Sequence, residues 1–86
     1  MRWRRHPRVL SRTAPGYLAL ATVGGDTVEV AGPGGDVWAR LVEWTAEEDL
    51  TAGLARQYGV AESTISPDVR ALLRDLLAQG YVEQDA

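Results

Sequence analysis

The sequence contains neither cysteine nor lysine, and it has a single histidine. Without cysteine, disulfides and thiolate metal sites are excluded. His6 lies near the N-terminus and the only serines are Ser11, Ser63 and Ser66, so no Ser/His or Cys/His pair can form within the domain. The sequence also lacks a P-loop or dinucleotide-binding glycine pattern, and no group of ligand residues suggests a metal site. We therefore predict that the protein is not an enzyme and uses no metal or cofactor.

Long hydrophobic runs are also missing. The longest apolar run, Tyr17 to Val23, is far too short to cross a bilayer. The N-terminus is basic but no apolar segment follows it, which argues against a secretory signal. We expect a cytoplasmic protein that does not bind membranes.

Basic residues are concentrated at the N-terminus. Five of the nine arginines lie within the first twelve residues, and the remaining chain carries four arginines against twelve acids, a net charge of −8. We predict that residues 1–7 form a flexible basic arm and that residues 8–86 form a single folded domain. The arm is either a solvated tail or a contact to an acidic partner, and both interpretations stay open at this point.

Three short strands are predicted in the N-terminal half. They cover Arg8–Ser11, Tyr17–Val23 and Thr27–Ala31, separated by a Pro15-Gly16 turn and a Gly24-Gly25-Asp26 hairpin loop. A three-stranded antiparallel meander has two edges, and an exposed β-branched edge is a template for one more strand.

The third predicted strand has the clearest alternation of apolar and polar residues. Val28 and Val30 fall on one face, and Thr27 and Glu29 fall on the other. This pattern indicates a strand with one buried face.

Three helices are predicted after the strands. Gly32-Pro33-Gly34-Gly35 ends the sheet, and Asp36 is a plausible N-cap for a first helix that runs to about Trp44. Thr45-Ala46-Glu47-Glu48 has the form of a capping box at the start of the second helix, which ends at Gly59.

The third predicted helix carries the densest apolar stripe in the chain. It has Pro67 in its first turn, after a turn over Val60 to Ser66, and it stops at Gly80, after which Tyr81 and Val82 fold back onto the core. The stripe has the spacing of one helical face and consists of Val69, Leu72, Leu73, Leu76 and Leu77. The predicted fold is α+β and winged-helix-like, with a three-stranded antiparallel sheet followed by three helices.

The segment Leu54 to Arg70 resembles a helix-turn-helix, which by itself suggests a DNA reader. Electrostatics argue against this function, because DNA affinity comes largely from arginine and lysine that neutralise phosphates. The third predicted helix, which would enter the DNA groove, offers Arg70 and Arg74, and Glu62, Asp68 and Asp75 offset their charge. We therefore expect no nucleic-acid partner, and a winged-helix DNA-binding regulator remains an alternative.

Four motifs carry a family resemblance. They are Pro7-Arg8-Val9, a Trp-x-x-Leu first helix at 38–41, the Leu-x-x-x-Tyr-Gly-Val pattern at 54–60, and the closing pattern from Asp68 to Val82. With the predicted order of strands and helices, they resemble the PqqD-like proteins, which are recognition elements for precursors of ribosomally made, modified peptides. The length is similar to that of the discrete leader-binding proteins of lasso-peptide pathways. Many relatives carry a Leu-Asn pair before the first helix, where this chain has residues 32–35.

The resemblance implies binding of a precursor leader peptide. The leader would add as a strand to the third predicted strand and pack against the third helix, which is β-augmentation. It also implies presentation of the precursor to a leader peptidase and an ATP-dependent lasso cyclase, with a tyrosine and a proline of the leader entering apolar pockets. The implied leader-binding residues are Thr27, Val28, Glu29, Val30, Ala31, Asp68, Val69, Leu72, Leu73, Asp75 and Leu76.

Two other expectations accompany this one. The protein is expected to be a monomer or a weak homodimer, because an open sheet edge permits pairing between copies. A generic protein-interaction domain with another ligand is the third functional alternative. Apolar side chains of the implied site have a competing interpretation as ordinary core residues.

Overall fold

The structure is a computed structural model, and it describes residues 1–22, 24–30 and 32–85. The strands are β1 (Arg2–Arg5), β2 (Val9–Ala14), β3 (Tyr17–Thr22), β4 (Thr27–Glu29), β5 (Thr45–Ala46) and β6 (Val82–Asp85). The helices are α1 (Gly34–Ala39), α2 (Glu47–Tyr58) and α3 (Glu62–Ala78). The predicted α+β class is confirmed, and the predicted winged-helix-like order of three strands and then three helices holds approximately, with β1, β5 and β6 as additional elements.

The strands form two antiparallel sheets. β2, β3 and β4 form the predicted meander in that spatial order, and β1 lies between β5 and β6 in the second sheet. The tight β2–β3 turn uses Gly16, whose φ is +71°, and a positive φ is accessible to glycine without steric cost. The second sheet joins residues from both ends of the chain.

The predicted flexible arm is corrected by the structure, because Arg2–Arg5 form the central strand of the second sheet. Trp3 is only 2 % exposed, and its indole Nε1 donates to Glu47 Oε1 at 3.1 Å. Arg4 pairs with Glu83 across the β1–β6 ladder. A central strand with a buried tryptophan belongs to the fold, so the folded unit begins before residue 8.

The predicted bounds of the first helix are also corrected. α1 begins at Gly34 with Pro33 as its N-cap, and it ends at Ala39, so Trp44 lies outside it. Trp44 instead stacks against Arg4, whose guanidinium carbon is 4.6 Å from the ring centroid. Gly34, at the start of the helix, allows it to approach the meander closely, because a Cβ there would clash with Val30.

The predicted capping box at the start of α2 does not form. The N-cap is Ala46 and makes no side-chain cap hydrogen bond, while the Thr45 hydroxyl donates to the carbonyl oxygens of Arg40 and Glu43. The hydroxyl of the predicted box is therefore engaged elsewhere. The predicted end of the helix is confirmed, because Gly59 caps it with φ +68°.

The third helix starts about one turn earlier than predicted. It begins at Glu62, so Pro67 lies inside it and has no N–H to donate to the preceding turn. Its end is predicted well, since Gly80 follows the cap residue Gln79 with φ +79°.

One core joins both sheets and all three helices. Its fully buried members include Trp3, Trp38, Leu18, Leu20 and Leu54. Tyr81 and Val82 are 6 % and 2 % exposed and pack into it as predicted. The core fixes β4 and α3 relative to each other, because side chains from both elements pack against it.

Candidate functional site

β4 is an open edge of the meander. Within the described residues it pairs only with β3, in a register that places Glu29 opposite Ala19 and Val28 opposite Leu20. Its outer side is therefore available to another strand.

Hydrogen bonding fixes which backbone groups of β4 face outward. Val30 N donates to Leu18 O at 2.9 Å, so these opposite residues form a hydrogen-bonded pair. In an antiparallel ladder such pairs alternate with non-bonded pairs, and Val28 is therefore bonded to Leu20. The N–H and C=O groups of Thr27 and Glu29 then point away from β3. An added strand would bond to these two residues, rather than to every residue of the strand.

The side chains of β4 follow the predicted alternation. Val28 and Val30 are half-buried and pack against the core, whereas Thr27 and Glu29 are exposed. Ala31 lies outside the described residues. The edge thus combines outward backbone groups with two apolar side chains on its inner face.

Gly34 allows the close packing that fixes Val30. A Cβ at Gly34 would clash with Val30 Cγ1 and lie 3.1 Å from Val30 Cβ. The next residue, Gly35, has room, because its nearest neighbour would be Tyr17 O at 3.7 Å. Gly34 therefore allows α1 to pack directly against the edge strand.

The two flanks of α3 face different surroundings. Arg70, Arg74 and Leu77 line a cavity of about 450 Å³ together with Trp3 and Glu47. At 100° per residue, a second set of side chains lies on the opposite flank. That set consists of Asp68, Leu72 and Asp75, of which Leu72 is half-buried and the two aspartates are exposed.

The other predicted residues of α3 are buried. Val69, Leu73 and Leu76 are 4 %, 0 % and 2 % exposed and belong to the core cluster. They support the helix from within, and Leu72 is the apolar residue of this set that keeps an accessible surface.

Five surface cavities of about 180 to 450 Å³ occur in the part of the chain that the structure describes. Thr27 is among the residues that line one of them, whereas Val28, Val30 and Leu72 line none of these five. The candidate site combines a strand edge with exposed parts of apolar side chains, which suits an extended chain more than a small molecule.

A hydrogen bond between helices lies on another part of the surface. Tyr58 Oη donates to Asp36 Oδ2. Burial, followed by this hydrogen bond, raises the pKa of Tyr58 to about 12. The bond ties the end of α2 to α1, beside the glycine segment.

The described residues lack two kinds of feature. No group of three or more His, Asp or Glu side chains is arranged to hold a metal ion. No helix in the described ranges is both long and apolar enough to cross a bilayer.

The comparisons with known proteins identify the family. Residues 16–82 match the family model described as coenzyme PQQ synthesis protein D (PqqD). The chain belongs to the PqqD family. The match covers well over half of the chain and contains both β4 and α3, so the candidate site lies within the PqqD region. The resemblance seen in the sequence is confirmed.

A solved structure shares the PqqD fold of this chain. It is TbiB1 in complex with the TbiA(beta) leader peptide, with a TM-score of 0.82, 23 % identity, and coverage of 96 % of this chain and 98 % of that chain. No curated protein matches this chain significantly. At this identity the structural match establishes the fold.

Proposed function

We propose that this PqqD family member binds the leader peptide of a ribosomally synthesised precursor by strand addition to β4. The open edge of β4 carries the proposal, since Thr27 and Glu29 direct their backbone groups away from β3. The family and the shared fold with TbiB1, whose structure contains a leader peptide, support it.

The proposed contacts follow from the geometry of an added strand. Its backbone bonds to Thr27 and Glu29, and its alternate side chains turn towards Val28, Val30 and the Leu72 flank of α3. Asp68 and Asp75 flank this surface and would meet basic residues of the leader. Val69, Leu73 and Leu76 contribute as the core beneath it.

The affinity expected from such a surface is moderate. Backbone bonds at an edge contribute about 0.5–1.5 kcal/mol each, and a few half-buried apolar side chains add to them. A dissociation constant between about 10 nM and 1 µM corresponds to roughly 8–11 kcal/mol. No covalent step is needed for this role.

We further propose that the bound leader belongs to a lasso-type precursor, which this protein presents to a leader peptidase and an ATP-dependent cyclase. In this role the protein is a non-catalytic cytoplasmic adaptor. The sequence resemblance supports this assignment. Co-purification of the peptidase with the protein only when leader is present would test it.

Leader binding is tested by fluorescence anisotropy with a labelled leader peptide encoded beside the gene. We expect sub-micromolar binding that depends weakly on salt. Val28→Asp and Leu72→Asp should each weaken it at least about tenfold by placing a charge on the apolar surface. Arg74→Asp, on the opposite flank of α3, is the matched control and should bind as the wild type does.

Circular dichroism must show that every variant is folded. Leader affinity unchanged in folded Val28→Asp and Leu72→Asp would refute the proposed surface. Binding to duplex DNA that falls steeply with salt would instead favour the regulator function.

A further inference from the structure

The meander has a second open edge, formed by β2. Within the described residues β2 pairs only with β3, and five of its six residues are exposed. It is twice as long as β4, and its Leu10 side chain is 65 % exposed. An edge of this length and exposure is a template for another chain.

The hydrogen-bond alternation also orients this edge. Leu18 and Leu20 direct their backbone groups at β4, so Tyr17, Ala19 and Ala21 direct theirs at β2. On β2, the residues opposite these three are bonded to β3. The outward N–H groups are then those of Ser11 and Thr13, since Val9 N donates to His6 O at 3.1 Å.

Each face of the β2 edge has a cavity beside it. On one face, Arg4, Arg5, His6 and Val42 surround about 290 Å³ next to Val9 and Ser11. On the other face, Leu10, Arg12, Tyr17 and Ala19 line about 330 Å³. Side chains of an added strand point alternately to the two faces, so both cavities lie within their reach.

The charged residues that line these two cavities are all basic. Arg4 already pairs with Glu83, and His6 Nε2 lies 3.9 Å from Glu83 Oε1. Arg12 is exposed, and Arg5 donates to the Trp38 carbonyl oxygen at 2.8 Å. Val42 is 63 % exposed. Within the described residues no ion pair involves Arg5 or Arg12, so each face of the edge keeps one arginine without an acidic partner, beside an apolar patch.

We propose that the β2 edge binds an extended acidic segment of a partner protein, in which carboxylates alternate with apolar residues. The segment adds as a strand, and its N–H and C=O groups bond to Ser11 and Thr13. Its carboxylates meet the arginines on one face of β2, and its apolar residues meet the apolar patch of the cavity on the other face. Charge complementarity selects this occupant over a second copy, because two copies would place their Arg12 side chains on one shared face. The site lies on the opposite edge from the leader surface and stands independently of it.

The probe is a fluorescein-labelled peptide of about eight residues that alternates Glu and Val, with a Lys-Val peptide as its matched control. Binding to the full chain is measured by anisotropy. The key variant is Ser11→Pro, because proline is tolerated on an edge strand where the N–H faces outward. Glu29→Pro makes the same change at the β4 edge, and Arg12→Ala keeps the backbone unchanged.

We expect the Glu-Val peptide to bind with a dissociation constant of about 10–100 µM, weakened by salt, while the Lys-Val peptide does not bind. Ser11→Pro should weaken this binding at least about tenfold and Arg12→Ala about threefold. Glu29→Pro should leave it unchanged and should abolish leader binding instead. Ser11→Pro should bind the leader peptide as the wild type does.

Equal binding of the two peptides would overturn the proposal, and so would Glu-Val binding that is lost in Glu29→Pro but kept in folded Ser11→Pro. No saturable binding at millimolar protein would also overturn it. Concentration-dependent dimerisation that Ser11→Pro abolishes would overturn it as well, by assigning the edge to a second copy. A failure of leader binding to wild type would leave these results interpretable, because they use another edge.

Discussion

The N-terminal strand provides the sharpest test of the fold. Trp3 is 2 % exposed, lies in the central strand of the second sheet, and donates its indole N–H to Glu47. Replacing a buried tryptophan by alanine removes about 3–5 kcal/mol of unfolding free energy. A chain of 86 residues has about 4–13 kcal/mol in total, at about 0.05–0.15 kcal/mol per residue. We therefore expect Trp3→Ala to lose a large fraction of its stability.

Deletion of residues 1–5 should have a still larger effect. It removes Trp3 and also the strand that pairs with both β5 and β6, so we expect a largely unfolded protein at 25 °C. For both variants the assay is urea unfolding followed by far-UV circular dichroism, because Trp3→Ala and the deletion each remove a tryptophan and so alter the fluorescence. Arg2→Ala is the control, because its ion pair with Asp85 is on the surface and contributes about 0–1 kcal/mol. A truncated protein with the wild-type urea midpoint would show that this segment is a dispensable arm.

Three further predictions concern single residues. Gly34→Ala should lower the free energy of unfolding by about 1–3 kcal/mol and weaken leader binding, because the added Cβ displaces Val30. Gly35→Ala should be tolerated, and equal urea midpoints for the two variants would contradict this prediction. Gly53→Ala should raise stability by about 0.5–1 kcal/mol, because a Cβ there meets only a flexible arginine side chain; a lower melting temperature would contradict this. The pKa of Tyr58 is raised in the folded protein, so its contribution to the free energy of unfolding is complete below pH 10 and is lost as the pH rises towards 12. Tyr58→Phe should therefore reduce the fall in unfolding free energy between pH 10 and pH 12. The effect should be modest, because Tyr58 is 41 % exposed.

Local patterns predicted the elements whose structure depends on local chemistry. Gly59 and Gly80 both have positive φ at helix ends, as expected of residues that adopt this conformation cheaply. Val28 and Val30 share a face packed on the core, as the alternation indicated. The predicted apolar stripe on α3 is confirmed for its buried members, Val69, Leu73 and Leu76, because a helical period is visible in the sequence.

Long-range contacts explain most of the differences. β1 has one apolar residue among arginines, and its acidic cross-strand partners, Glu83 and Asp85, lie at the other end of the chain. The basic segment therefore has an acidic partner within the same chain, so its charge alone does not indicate external docking. The residues of the candidate site were predicted from the family resemblance. Which backbone groups of β4 face outward could be determined only from the pairing register of β3 and β4 in the structure.

Amide hydrogen exchange of β4, measured by NMR with and without the leader peptide, tests the central claim most directly. In the free protein, Val28 and Val30 amides should be protected by β3, and Thr27 and Glu29 amides should exchange rapidly. Leader binding should slow exchange at Thr27 and Glu29 and leave Ser11 and Thr13 unchanged. Bound leader with rapid exchange still seen at Thr27 and Glu29 would contradict strand addition at this edge.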